Sequence, residues 1–232
     1  MVTAMVVVGL TTAVIATSFS NPELPLASSP NDPDTVLAAL KAGNARFVSS
    51  QRTLSTDTAH DADMRRRLAT GQHPFACILC CSDSRVCPEF IFDSPPGSFF
   101  EIRNAGNVVE DDALASMEYA VEHLGVRFVL VLAHTGCGAL AAVVDADGHP
   151  LHDHLRDLQE RITCLRARSS PAKDESRSHW LNQLSQDNAR EQAQAVIKQS
   201  DPIRLAVEKK QVRLMFGIYD MESGAVEYCD LP

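Results

Sequence analysis

The stretch VRFVLVLAHTGCGALAAVVDA (126–146) decides the fold. Residues 126–134 form a near-continuous apolar run, the pattern of a strand covered on both faces. The run ends on His134-Thr135-Gly136-Cys137 and passes straight into helical sequence. A second run, FACILCC (75–81), also ends on a polar cluster, Cys81-Ser82-Asp83-Ser84-Arg85. Buried strands alternating with helices imply parallel pairing, because a parallel crossover needs a long, usually helical, connection.

The flanking segments extend this pattern. NDPDTVLAALKAGNARFVSS opens with Asp32 or Asp34 as cap, and Val36, Leu37, Leu40 and Phe47 form a helical stripe. A charged helical segment over 59–70 stops at Gly71, and SFFEIRN (98–104) reads as a strand. DALASMEYAVEHLG (112–125) is an amphipathic helix stopped by Gly125. Residues 151–209 are mostly helical, broken around SSPAKDES and again at Asp201-Pro202, where Pro202 opens a new helix. QVRLMFGIYD (211–220) and GAVEYCD (224–230) pair as terminal strands across a turn at Met221–Gly224. The expected class is α/β: a central, mostly parallel β-sheet covered by helices, with a C-terminal antiparallel edge strand.

A chain of 232 residues suits one substantial α/β domain. The formal charge of −9 excludes a nucleic-acid footprint, and the short RRR at 65–67 reads as a solvated helix face. Four of the seven cysteines crowd one strand and the loop after it, which favours metal or thiol chemistry over a disulfide framework. The first 22 residues carry no charge, and an apolar core followed by Ala16-Thr17-Ser18 is signal-like, although its n-region lacks Lys and Arg. Residues 1–33 are therefore expected to be a signal-like or disordered segment and 34–232 the catalytic domain. Export to the periplasm is the expected location, with a cytoplasmic protein bearing an N-terminal arm as the alternative. No later segment has the ~18 uninterrupted apolar residues of a membrane span.

In such a sheet, ligands bind at the carboxyl ends of strands, where strand order reverses. If the two apolar strands are neighbours, Cys81, His134 and Cys137 converge as a three-ligand set for a tetrahedral zinc ion, with a fourth position open. Asp83 competes for that position, and the fork of Arg85 can hold it off by binding its carboxylate bidentately. Zinc lowers the pKa of a bound water toward ~7, and an ionised Asp83 can orient the resulting hydroxide. The combination suits hydration of a small electrophile.

The sequence resembles the β-class carbonic anhydrases. The resemblance rests on CSDSRVCPE (81–89), PGSFFEIRNAGN (96–107), SMEYAVEHLGV (116–126), HTGCGA (134–139), DNAREQAQAVIKQSDPIR (187–204) and LMFGIYDMESGAVEY (214–228). It implies one zinc per subunit on Cys81, His134 and Cys137, with Asp83 and Arg85 as a catalytic dyad. It also implies reversible hydration of carbon dioxide to bicarbonate and a proton, in a homodimer or higher homo-oligomer. Two departures concern the site: Ser94 is the nearest polar residue where many members carry a substrate-binding Gln, and Ala133 replaces the usual Gly. A third concerns the second bicarbonate site that some members build from Trp, Arg and Tyr. The positions matched to it are Ile78, Arg103 and Phe216, so bicarbonate is expected to act only as product; Arg103 lies in the strand 98–104, where a nearby carboxylate could occupy it.

Blander readings apply elsewhere. Cys77 and Cys80 form a C-x-x-C, but residues three apart in a strand face opposite ways, so both read as small buried hydrophobes. Cys87 reads as a packed thiol. HPLHDH (149–154) reads as a solvated turn, with a proton relay by His149, His152 or His154 as the sharper alternative. Gly136 and Gly138 suit a tight strand-to-helix turn; a phosphate loop would want a Lys after them. Two other functions compete with carbon dioxide hydration: a non-catalytic zinc protein in which Asp83 closes the metal site, and hydrolysis of another small cumulated substrate such as carbon disulfide.

Overall fold

The computed structural model describes residues 32–54, 62–147, 149–166 and 174–231. The signal-like segment up to residue 31 lies outside them. Strands β1 (Ala76–Cys81), β2 (Phe99–Asn104), β3 (Phe128–His134), β4 (Arg213–Tyr219) and β5 (Val226–Asp230) form one sheet in the order β2-β1-β3-β4-β5. β1 pairs in parallel with β2 and β3, β3 with β4 in parallel, and β4 with β5 antiparallel. The chain leaves β1 toward one side for β2 and returns to its other side for β3. That reversal is the switch point expected to host a site.

β1 and β3 are buried along their whole length, which is why they lack polar alternation. One face packs Cys77, Leu79, Val129, Val131, Leu214 and Phe216 against α4 (Asp111–Glu122), α7 (Arg177–Gln199) and α8 (Asp201–Glu208). The other packs Ile78, Cys80, Leu130, Leu132, Met215 and Tyr219 against α1 (Pro33–Val48) and the one-turn helix α3 (Pro88–Ile91). α2 (Ala62–Leu68), α5 (Gly138–Asp145) and α6 (Leu155–Arg166) complete the α-helices of the described residues, and a single 3-10 turn covers Ala105–Asn107. No helix among those residues is long and apolar enough to cross a membrane.

Local chemistry sets the element ends. Asp32 accepts from the Asp34 and Thr35 amides at 3.1 and 3.3 Å, so it is the cap of α1. Ser200 caps α8 through the Ile203 amide, with Pro202 in the first turn as expected. The buried Asn44 joins three elements: Nδ2 donates to the Ile91 and Gly224 carbonyls, and Oδ1 accepts from the Val226 amide. Asp93, after α3, is likewise buried and accepts from Arg46 Nε and from the Thr53 and Leu54 amides.

Two sequence expectations need correction. Ile78 and Phe216 lie on opposite faces of the sheet, so with Arg103 they cannot line one pocket. It is Tyr219 that shares the face of Ile78. Arg103 is occupied by main-chain carbonyls rather than by a carboxylate: it donates to Cys81 O at 3.3 and 3.1 Å and to Asp83 O at 2.9 Å.

Candidate metal centre

Cys81 ends β1, His134 ends neighbouring β3, and Cys137 sits in the turn before α5. Their sulfur and nitrogen donor atoms all lie within 4.8 Å of one another, and all three residues are buried. His134 Nδ1 is 3.0 Å from the Thr135 carbonyl, which fixes Nδ1 as the protonated nitrogen. Nε2 then presents a lone pair, and it is buried with no hydrogen-bond partner. An orphaned imidazole nitrogen between two thiols is a donor set of the type that holds metal ions.

The two thiols interact with each other. Hydrogen bonding from the Cys137 thiol, and more weakly from the Gly106 N–H, lowers the Cys81 thiol's pKa against the opposing effect of burial. The same pairing with Cys81, together with burial, pushes Cys137 up. The Gly106 amide lies 3.4 Å from Cys81 Sγ, and the buried Asn188 on α7 holds the Gly106 carbonyl at 2.8 Å. Gln192 secures Asn188 at 3.2 Å and accepts from the Val109 amide at 2.7 Å. Gly106 adopts φ +71°, and a side chain there would press against Ile162.

Asp83 does not join the three donors; among the described residues the metal-type grouping holds Cys81, His134 and Cys137 alone. Arg85 Nε and Nη2 donate to Asp83 Oδ1 and Oδ2 at 2.9 and 2.8 Å, and the Arg85 amide adds a bond of 3.0 Å to Oδ1. Hydrogen bonding from Arg85 holds the Asp83 carboxyl well below the usual carboxylate range. Arg85 Nη2 also reaches the Gly136 carbonyl at 3.3 Å, and the Gly136 amide donates to Asn182 Oδ1 at 3.0 Å.

Other candidates fall outside this constellation. Ser94 donates its hydroxyl proton to Phe92 O at 3.0 Å. Cys77 and Cys80 pack into opposite core faces, as strand alternation requires. His149, His152 and His154 are exposed on the segment between α5 and α6. Residues without a role in the sequence reading are Gly106, Asn182, Asn188 and Gln192, whose contacts cross 25 to 83 positions of chain. The Asn-Ala-Gly-Asn turn at 104–107 was the one local signal for them.

Fold and site together define an α/β protein with a buried Cys/His/Cys group at the switch point of a mostly parallel sheet. A family model described as carbonic anhydrase matches residues 76–226, and the chain belongs to that family, in its β-class. "Carbonic anhydrase 2" of Mycobacterium tuberculosis is 42% identical over 133 residues, covering 56% of this chain and 63% of that protein. The match therefore spans just under two thirds of that relative's length. A carbonic anhydrase of Pseudomonas aeruginosa is 33% identical over 171 residues, covering 71% of this chain and 77% of its own. A crystal structure of tetrameric β-carbonic anhydrases from Sordaria macrospora superposes with a TM-score of 0.65 at 23% identity. It covers 84% of this chain and 96% of that one, a likeness of fold.

Proposed function

We propose that the chain catalyses reversible hydration of carbon dioxide to bicarbonate and a proton. The observation that carries the proposal is the bidentate Arg85–Asp83 pair standing beside three metal-type donors without joining them. Zinc fits this set: two sulfurs and one imidazole are soft to borderline ligands, and three protein ligands leave one position open. Cys81 Sγ, Cys137 Sγ and His134 Nε2 would hold it. When bound, zinc supplies the Lewis acidity that makes water a nucleophile near neutral pH.

The residues of the chain then have distinct tasks. Asp83, kept ionised by Arg85, accepts a hydrogen bond from the attacking oxygen and turns that oxygen's lone pair toward carbon dioxide. Arg85 occupies both carboxylate oxygens, which keeps Asp83 from serving as a fourth ligand. Arg103 ties down the Cys81 and Asp83 carbonyls and so fixes the loop that carries both. The closed, non-catalytic arrangement would instead require Asp83 among the metal donors.

Stopped-flow hydration of carbon dioxide, with metal analysis of the same purified protein, tests the proposal. One zinc per chain with turnover far above the buffer rate is expected; a fully zinc-loaded protein with no turnover overturns it. The proposal includes self-association, since β2 is an edge strand of the sheet among the described residues. A monomer by light scattering would remove that part. Export is also retained as a proposal, and N-terminal sequencing of protein from a periplasmic fraction tests it.

A further inference from the structure

We infer that Asn182 on α7 is a positioning residue for the Asp83–Arg85 pair, acting through the backbone of Gly136. The inference rests on the proposed role of that pair. Asp83 and Arg85 are two residues apart on one loop, so their mutual bonds alone do not fix them relative to His134 and Cys137. The Arg85 side chain is 58% exposed, so packing does little to hold it. Its hydrogen bond outside that loop goes to the Gly136 carbonyl, in the turn that separates His134 from Cys137.

Gly136 is in turn set by Asn182. It adopts φ +64° with nothing within 4 Å of where a side chain would start, so the turn needs glycine for its conformation and not for space. The polar contacts of its amide and carbonyl are Asn182 Oδ1 at 3.0 Å and Arg85 Nη2 at 3.3 Å. Removing the Asn182 acceptor frees the 135–136 peptide to tilt, and the Gly136 carbonyl in the next peptide plane shifts through rotation about the glycine's own φ and ψ. Arg103 still holds the Asp83 main chain, so what shifts is the Arg85 fork and with it the orientation of the Asp83 carboxylate, and small misplacements of that kind are costly to a catalytic step.

The test compares Asn182→Leu, which keeps the volume and removes the acceptor, with Asn182→Asp, which keeps an acceptor oxygen. Zinc-loaded protein is assayed for kcat, KM and metal content. The Arg85 Nε–H signal is followed by nitrogen-15 NMR in the metal-free protein. Asn182→Leu should lower kcat by about tenfold, the scale of one hydrogen bond. KM and zinc content should stay unchanged, and the Arg85 signal should be broadened or lost. Asn182→Asp should restore both readouts to within about twofold of the parent. Wild-type kcat in Asn182→Leu, equal impairment in Asn182→Asp, or loss of zinc in either overturns the inference. Arg85→Ala is measured alongside: if it alone abolishes turnover, a silent Asn182→Leu refutes only this inference. If Arg85→Ala retains full turnover, the role proposed for the pair fails first.

Discussion

Arg85 grips Asp83 through two parallel hydrogen bonds, Nε to Oδ1 at 2.9 Å and Nη2 to Oδ2 at 2.8 Å. A guanidinium fork matches a carboxylate in this way, whereas an ammonium is a point charge that cannot. The proposed task of Asp83 predicts that Asp83→Ala lowers kcat by about 10²-fold or more with zinc retained, the range for a lost proton acceptor. Arg85→Lys should lose about tenfold, because charge survives but bidentate geometry does not. Near-normal turnover in Asp83→Ala would remove the dyad from the mechanism.

Metal retention should depend on which face of β1 a sulfur occupies. Cys81 lies in the cluster formed with Cys137 and Val108, while Cys80 packs beside Ile78 on the α1 side. Cys137→Ala is expected to bring bound zinc close to zero. Cys80→Ala should retain one zinc per chain and lose only about 1 kcal/mol of packing. Elemental analysis after gel filtration separates the two cases, and full zinc in Cys137→Ala would refute the ligand set.

How much of this was legible follows from which contacts are local. β1 and β3 could be read because burial on both faces leaves an apolar run of strand length. That they are neighbours is a property of the fold, and the meeting of Cys81 with His134 depends on it. α3 was missed because four residues cannot display a helical period. Phe216 was matched to the wrong face because strand side chains alternate, so a shift of one or three positions reverses the side. The partners of Arg103 are main-chain carbonyls, which no side-chain pattern encodes.

Glu101 gives stability an alkaline weakness. Burial, followed by the neighbouring Glu89 carboxyl, pushes it up to about 7, and one of its oxygens is buried without a partner. Arg103 opposes the shift but does not cancel it. The folded state therefore binds the proton more tightly than the unfolded chain, whose carboxyl titrates near its ordinary value. Stability contributed by protonated Glu101 is fully present below about pH 4.5 and is lost as pH rises through about 7. Glu101→Gln should match the parent in acid and exceed it at pH 8 by on the order of 2 kcal/mol. Denaturant midpoints that run parallel for the two proteins from pH 4 to 8 would count against this.

Gly43 tests a close approach in the core rather than the site. It lies inside α1, where alanine is ordinarily favoured over glycine by about 1 kcal/mol. A Cβ at this position would collide with the carbonyl oxygen of Phe92, which is main chain and has no rotamer to escape into. Phe92 follows α3 and precedes Asp93, whose carboxylate anchors the Thr53 and Leu54 amides, so the strain would spread into a segment already pinned. Overpacking of this kind costs about 1–3 kcal/mol or more and outweighs the gain in helix propensity. Gly43→Ala is therefore expected to lower the thermal midpoint by several degrees, since each kcal/mol shifts a domain of this size by about 2–4 °C. Turnover per folded molecule should be unchanged, because Gly43 touches none of the metal-type donors. A midpoint equal to or above the parent's would mean that α1 slides away from Phe92 at little cost.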